Sequence, residues 1–218
     1  MKTITSSLKF LVLATILAIG FCATARADNM LPGEKPPAPT ADSQGLLGQV
    51  YGTLTYSYIN LDNTSTHADA YDFVLNKPLS FGLDGFLGYN FSQSGAIAGN
   101  RFKSNMLDTG LRAFCTHYNW GKPYVEAGGG YAWTRSAGTK HDSFVWEVAA
   151  GAEFQVAPKA TVTPYIQYVD APNLNVGNVW NFGVKGNYWV ESNWAVTAGF
   201  QYDDNHNSTF TVGTNFRF

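Results

Sequence analysis

Apolar side chains recur at every second position through most of the chain after residue 50, and this period is the strongest constraint on the fold. In the segment 144–156, one set of alternate positions is small or polar and includes Glu147 and Glu153. The other set is apolar throughout: Phe144, Trp146, Val148, Ala150, Ala152, Phe154 and Val156. Successive side chains of a β-strand point to opposite faces, whereas a helix repeats every 3.6 residues. The period therefore predicts a strand with one apolar face.

The same period recurs in ten segments separated by clusters of Gly, Asn, Asp, Ser and Pro, which are typical turn residues. It predicts strands at 46–60, 69–76, 82–92, 103–116, 122–135, 143–156, 160–170, 179–190, 193–203 and 208–218. Tight turns are expected at 76–78, 157–159 and 191–193, alternating with longer polar loops at 62–68, 171–178 and 203–207. An even strand number with alternating short and long connections predicts an all-β fold, a closed antiparallel up-and-down transmembrane β-barrel of ten strands.

Two positions weaken this pattern. The segment 69–76 is short, and the turn after it is inferred from Lys77 and Pro78. Without that strand the count becomes odd, so the alternative is an eight-stranded barrel with a second segment reassigned. Pro164 lacks the N–H that a closed ladder needs, and it is expected near a rim or a bulge.

The composition of the polar face indicates which face meets lipid. A soluble barrel covers its outside with Lys, Glu and other long solvated side chains, whereas this face is mostly Gly, Ala, Thr, Ser, Asn and Gln. Charged residues make up 14% of the chain, against roughly 25% in ordinary soluble proteins. The polar face is therefore expected to line the lumen, and the apolar face is expected to contact hydrocarbon and to carry no charge.

Nine charged residues in the predicted strands share the polar face and form a candidate lumen network. They are Asp72, Asp84, Asp108, Arg112, Glu126, Glu147, Glu153, Lys185 and Arg217. One interpretation is a narrow channel that mildly favours cations, because charged rings that line a pore set its selectivity. The other is a paired, hydrogen-bonded filling of a small barrel, because buried charges must be compensated. The second is favoured, since a ten-stranded barrel is only slightly wider than one that side chains fill.

Aromatic residues gather near the predicted strand ends on the apolar face, where girdles at the two lipid interfaces are expected. They are Tyr56, Tyr58, Tyr89, Tyr131, Trp133, Tyr168, Tyr188, Trp194 and Tyr202.

The first 27 residues have the layout of a secretory signal peptide. Lys2 and Lys9 are followed by an apolar run at 10–22, and 25–27 reads Ala-Arg-Ala, which predicts cleavage after Ala27. The alternative is a lipoprotein signal at Cys22, against which the bulky Phe21 argues. Residues 28–45 are Pro-rich and predict a periplasmic tether, followed by the barrel domain at 46–218. Cleavage would also remove Cys22 and leave Cys115 without a disulfide partner.

The last ten residues end in alternating aromatics, with Phe216 and a terminal Phe218. This ending resembles the signal that the outer-membrane barrel assembly machinery reads. With the signal peptide and the repeated hairpins, the chain resembles the broad superfamily of small outer-membrane β-barrels and porin-like proteins. The resemblance implies a Gram-negative bacterial outer membrane, with its lipid and the assembly machinery as partners, and it brings no catalytic motif.

The last predicted outer loop contains candidate hydrolase residues, because Asp203, Asp204 and His206 lie close in sequence. Asp204-Asn205-His206 is similar to the Asp-X-His element of outer-membrane proteases, but no partner pair of acids is found. His206-Asn207-Ser208 is similar to the His-X-Ser element of lipid A deacylases, but their downstream Glu is absent. A solvated loop is the preferred interpretation, with no catalytic residues, no cofactor and no metal ligands expected.

The sequence thus predicts a porin-like narrow channel or a structural component of the outer membrane, with small ions or solutes as candidate cargo. The alternative is a surface adhesin that uses the loops at 62–68, 95–100 and 171–178, and a hydrolase at the rim comes third. Nucleic acid is not expected as a partner, because the chain after residue 27 carries eleven bases against sixteen acids, a net charge of −5.

Overall fold

The computed structural model describes residues 45–62, 64–97, 100–118, 121–136, 138–174 and 178–218. Most of them lie in ten strands, one in each segment where the alternation predicts a strand. The strands are β1 (Tyr51–Asn60), β2 (His67–Ser80), β3 (Leu83–Ile97), β4 (Asn100–Phe114), β5 (Lys122–Ser136), β6 (Thr139–Ala157), β7 (Ala160–Asp170), β8 (Asn178–Trp189), β9 (Trp194–Asp203) and β10 (Ser208–Arg217). The predicted signal peptide and nearly all of the predicted tether lie outside the described residues.

Each strand pairs antiparallel with the next one along the chain, and the last strand returns to the first. Tyr51 of β1 stands opposite Asn76 of β2 on one side and opposite Arg217 of β10 on the other. The sheet is therefore a closed up-and-down barrel, which leaves no unpaired edge strand. This confirms the ten-stranded prediction and rules out the eight-stranded alternative.

The second strand is longer than predicted, and the turn expected at 76–78 is wrong. Those residues belong to β2, which continues to Ser80, and the turn lies at Phe81 and Gly82. Gly82 has a φ of 75°, a left-handed conformation that glycine adopts without strain. Pro78 marks the irregularity instead of ending the strand, because the register with β3 shifts between Pro78 and Ser80.

The expected contrast between short and long connections is only partly present. At the end of the barrel where β1 begins and β10 ends, here called the terminal end, the β4–β5 connection spans seven residues, 115–121. At the opposite or outer end, β3 continues to Ile97 and β4 begins at Asn100. Most of the predicted loop at 95–100 is therefore strand, and the outer end is built largely from extended hairpins.

The two faces of the sheet differ as predicted. Residues that point outward are large, apolar and exposed, for example Leu54 at 56%, Phe182 at 51% and Val212 at 56% exposure. Buried polar residues such as Asn181, Thr197 and Asn215 point inward. A water-soluble barrel has the opposite arrangement, so this distribution is that of a barrel surrounded by hydrocarbon.

Pro164 is expected near a rim or a bulge, and it lies in the middle of β7, at an interruption of the ladder without a shift of register. It pairs with Val184 of β8 on one side. On its other side, β6 and β7 pair at Gly151–Tyr165 and again at Phe154–Val162, with the ladder interrupted between those pairs. The interruption accommodates the missing N–H of the proline.

Cys115 follows β4 and is buried, with 9% exposure. That Cys115 lacks a disulfide partner is predicted for a chain cleaved after Ala27, which has lost Cys22, and it stays a prediction. The described residues contain no helix that is long and apolar enough to span a bilayer.

Candidate functional site

A polar cavity of about 420 Å³ occupies the barrel interior. Its lining runs from Leu46 and Leu47 at the terminal end to Ile59 and Thr209 near the outer end. Five acids and two bases contribute to its wall: Asp72, Asp108, Glu126, Glu147, Glu153, Arg112 and Lys185. The wall of the cavity therefore carries an excess of three formal negative charges.

All nine charged residues predicted for the lumen lie on inward-facing positions. Seven line the cavity, as given above. The other two, Asp84 and Arg217, lie at the terminal end, where they stand opposite the inward residues Arg112 and Tyr51. Asp69, by contrast, points outward from β2 and accepts a hydrogen bond from Tyr56 at 2.6 Å. The prediction that the apolar face carries no charge is therefore wrong near the outer end.

Arg112 forms the centre of charge compensation on the β4–β5 wall. Its guanidinium forms a salt bridge with Glu126, with Nε donating to Oε2 at 2.5 Å. Nη1 also donates to the hydroxyl of Tyr51 at 2.9 Å. The guanidinium lies 5.8 Å from the ring of Phe86 and 5.5 Å from that of Tyr124, distances at which cation–π attraction acts. The pair is thus buried, hydrogen-bonded and held in one geometry.

Glu147 on β6 anchors a chain of polar side chains that crosses the opposite wall. It accepts a hydrogen bond from Gln167 at 2.7 Å, and Gln167 accepts one from Asn181 at 3.2 Å. Asn181 accepts from Gln201 at 2.9 Å, and Gln201 accepts from the Tyr165 hydroxyl at 2.8 Å. The four strands β6 to β9 are therefore joined by side chains as well as by their backbone ladder.

Lys185 lies beside the end of this chain. Its ammonium is 5.2 Å from the centre of the Tyr165 ring. Among the described residues it forms no salt bridge. Its charge therefore faces the cavity beside the ring of Tyr165. The ring of Tyr165 has room because residue 183 is glycine; a Cβ there would lie 2.4 Å from it.

Asp72 and Asp108 supply negative charge to the β2–β4 wall. Asp72 accepts hydrogen bonds from Asn90 at 2.5 Å and Thr55 at 3.4 Å. Asp108 lies over the backbone of Gly88, where a Cβ would come within 2.5 Å of its carboxylate. No ion pair with either carboxylate occurs in the described part of the chain. These two acids therefore contribute uncompensated charge to the cavity.

A turn at residues 45–49, here called the N-terminal turn, closes the terminal end of the cavity. Two inward acids accept hydrogen bonds from its backbone N–H groups. Leu46 donates to Glu153 at 2.7 Å, and Gly48 donates to Asp84 at 3.0 Å. Lys122 donates to the carbonyl of Leu47 at 3.4 Å and lies 3.9 Å from Glu153. The alternation predicts residues 46–50 as part of the first strand, so this closure is not predicted from the sequence.

Arg217 and Asn76 secure the same turn from the last and second strands. Arg217 donates to the carbonyl of Gly45 and stacks on the ring of Trp189 at 3.5 Å. Asn76 donates to the carbonyl of Gln49 at 2.9 Å. Three of the nine predicted lumen residues, Asp84, Glu153 and Arg217, thus hold the N-terminal turn.

The last outer loop uses its candidate hydrolase residues to hold its own shape. Both carboxylate oxygens of Asp203 accept hydrogen bonds from Asn207 at 2.8 Å. Asp204 accepts from the backbone N–H of Trp180 at 3.1 Å, and His206 contacts the Tyr202 hydroxyl at 2.5 Å. Within the part of the chain that the structure describes, no carboxylate forms an ion pair with this imidazole. Among the described residues no group of His, Cys, Asp and Glu has the arrangement of a metal site.

The residues of the predicted assembly signal lie outward at the terminal end. Phe216 stacks on Trp194 with 6.3 Å between ring centres. Phe218 is 83% exposed, and its backbone N–H donates to the carbonyl of Val50 at 3.0 Å. Both rings are therefore accessible from the membrane side. Each of the three predicted adhesive loops lies partly outside the described residues; these loops are 62–68, 95–100 and 171–178.

No known protein family and no curated protein matches the sequence. Solved structures to which the chain is similar are small outer-membrane β-barrels. Neisserial surface protein A is 12% identical, with a TM-score of 0.47 over 78% of this chain and 96% of that one. The beta domain of the Bordetella autotransporter BrkA is 11% identical, with a TM-score of 0.48 over 78% of this chain and 100% of that one. The KdgM porin in complex with disordered oligogalacturonate is 10% identical, with a TM-score of 0.40 over 76% of this chain and 99% of that one. At these identities the likeness concerns the fold alone, and the assignment to a membrane rests on the apolar outward face.

Proposed function

We propose that the protein is a narrow, cation-favouring channel of a bacterial outer membrane, exported by its N-terminal signal peptide. The observation that carries this proposal is the cavity that runs along the barrel with five acids and two bases in its wall. Excess carboxylates along a narrow pore lower the energy of a cation in it and raise that of an anion. Small cations are the cargo that this lining favours.

In this proposal the N-terminal turn is the element that restricts ion flow, because it covers the terminal mouth. Leu47 is 5% exposed there. The two carboxylates that accept hydrogen bonds from the turn, those of Glu153 and Asp84, belong to the barrel wall. A purely structural role is the second candidate, and this closure together with the hydrogen-bonded chain from Glu147 to Tyr165 favours it. The two candidates differ in whether ions cross the barrel.

Conductance of refolded protein in planar bilayers separates them, and reversal potentials in a salt gradient give the ion preference. We expect small unitary currents with cations preferred over anions. Glu147→Gln should lower the cation preference and Lys185→Gln should raise it, because they remove opposite charges from the same wall. Lys159→Gln, in the β6–β7 turn, is the control and should leave the preference unchanged.

Two results would contradict the channel. One is a silent bilayer for protein whose gel mobility shows it to be folded, which would favour the structural role. The other is an ion preference that moves in the same direction for Glu147→Gln and Lys185→Gln.

A further inference from the structure

An outward-facing row of three basic side chains lies at the outer end of the barrel. Lys103 of β4 stands directly opposite Arg135 of β5, and Arg135 directly opposite Lys140 of β6. Directly opposed residues of antiparallel strands point to the same face. That face is the outer one, since Arg135 follows the outward Tyr131 and Trp133 at two-residue steps along β5. Lys103, Arg135 and Lys140 are all exposed and are called the basic row below.

The basic row places three positive charges on neighbouring positions of adjacent strands. Opposed side chains on one face have Cβ atoms about 4.5–5.5 Å apart, and like charges in that position destabilise a sheet. Within the described residues none of the three bases forms a salt bridge. Asp142, an acid on the same face of β6, also makes none. An anion bound from outside the protein would relieve this repulsion.

The position of the basic row relative to the aromatic girdle selects the kind of anion. Trp133 lies two residues nearer the middle of β5 than Arg135, a distance of about 7 Å along the strand. Its ring packs against Tyr131, with 6.5 Å between ring centres. Trp and Tyr prefer the level of the lipid head groups. The basic row therefore lies at or just above the head groups of the leaflet at the outer end.

We propose that the basic row binds the phosphate groups of an outer-leaflet lipid. The guanidinium of Arg135 can donate two parallel hydrogen bonds to phosphate oxygens. Lys103 and Lys140 flank it on the neighbouring strands and add charge on either side. The acyl chains of the same lipid lie along Trp133 and Tyr131. This proposal uses the membrane setting of the barrel and is independent of ion conduction.

Binding of a phosphorylated lipid to refolded protein tests it directly. Protein in neutral detergent micelles is titrated with bisphosphorylated lipid A and, in parallel, with the same lipid after removal of its phosphates. Native mass spectrometry counts the bound lipid. We expect the bisphosphorylated lipid to bind at least about tenfold more tightly, because each base near an anionic lipid surface contributes about a fivefold gain.

A matched pair of double variants assigns that preference to the basic row. Lys103→Gln/Lys140→Gln should weaken binding of the bisphosphorylated lipid by about 20- to 30-fold. Lys77→Gln/Lys159→Gln removes the same charge at the terminal end and should change it less than about twofold. The mobility of unheated samples on gels shows that each variant is folded.

Three outcomes would overturn the proposal. The first is equal affinity for the two forms of the lipid, and the second is an equal loss in both double variants. The third is displacement of the bound lipid by millimolar inorganic phosphate, together with an affinity that does not depend on the acyl chains. That result would define a simple anion site.

Discussion

The guanidinium of Arg112 contacts Glu126, Tyr51 and two aromatic rings inside the barrel. Only 17% of its side chain and 11% of that of Glu126 are exposed. Removing one partner of such a pair leaves the other charge buried without compensation, which costs about 3–5 kcal/mol. We therefore expect Arg112→Met to lower the free energy of unfolding by that amount in reversible urea titrations in lipid vesicles.

The double variant Arg112→Met/Glu126→Gln should recover most of this loss, because no uncompensated charge then remains. The exposed Arg101 of β4 provides the control, and Arg101→Met should change the free energy by less than about 0.5 kcal/mol. A double variant that is no more stable than Arg112→Met alone would show that packing, and not charge compensation, is what Arg112 supplies.

The two-residue period of the sequence is enough to assign single residues to a face, but it does not identify their partners. Arg112 and Glu126 stand directly opposite each other, a pairing that follows only once the β4–β5 register is known. The basic row is hidden for the same reason, since Lys103, Arg135 and Lys140 become neighbours only through two registers. Charges at strand ends also escape the rule, because head groups and water tolerate them there.

At the scale of elements, strands could be predicted and the closure of the terminal mouth could not. Each strand has its own local period, whereas the N-terminal turn depends on partners far away in the sequence. Leu46 and Glu153 are 107 residues apart, and Gly48 and Asp84 are 36 apart. Leu46 also keeps the even-numbered phase of the outward residues Val50 and Leu54, so the local signal favours a longer strand. Gly48, with a φ of 81°, is the residue that ends it.

The N-terminal turn is expected to limit conduction, and two truncations of the processed chain test this. Removal of residues 28–49 deletes both the tether and the turn, and it should increase single-channel conductance in planar bilayers because the mouth is uncovered. Removal of residues 28–43 deletes the tether alone and should leave conductance as in the full processed chain. Equal conductance in the two truncated proteins would show that the turn does not restrict the path of ions.

At the scale of the whole molecule, the two faces of one strand decide what surrounds the barrel. Val212 and Thr211 are neighbours near the middle of β10; Val212 points outward with 56% exposure and Thr211 lines the cavity.

A lysine on the lipid side near the bilayer midplane costs about 2–4 kcal/mol, whereas in water an exposed substitution stays within about 0.5 kcal/mol. We expect Val212→Lys to lower the free energy of unfolding in lipid vesicles by the larger amount. Thr55→Lys should be milder, because position 55 lines the cavity directly opposite Asp72 and the inward lysine gains a carboxylate partner. Urea titrations of both variants measure the difference, and equal costs, or a Val212→Lys variant as stable as the parent, would mean that hydrocarbon does not surround this sheet.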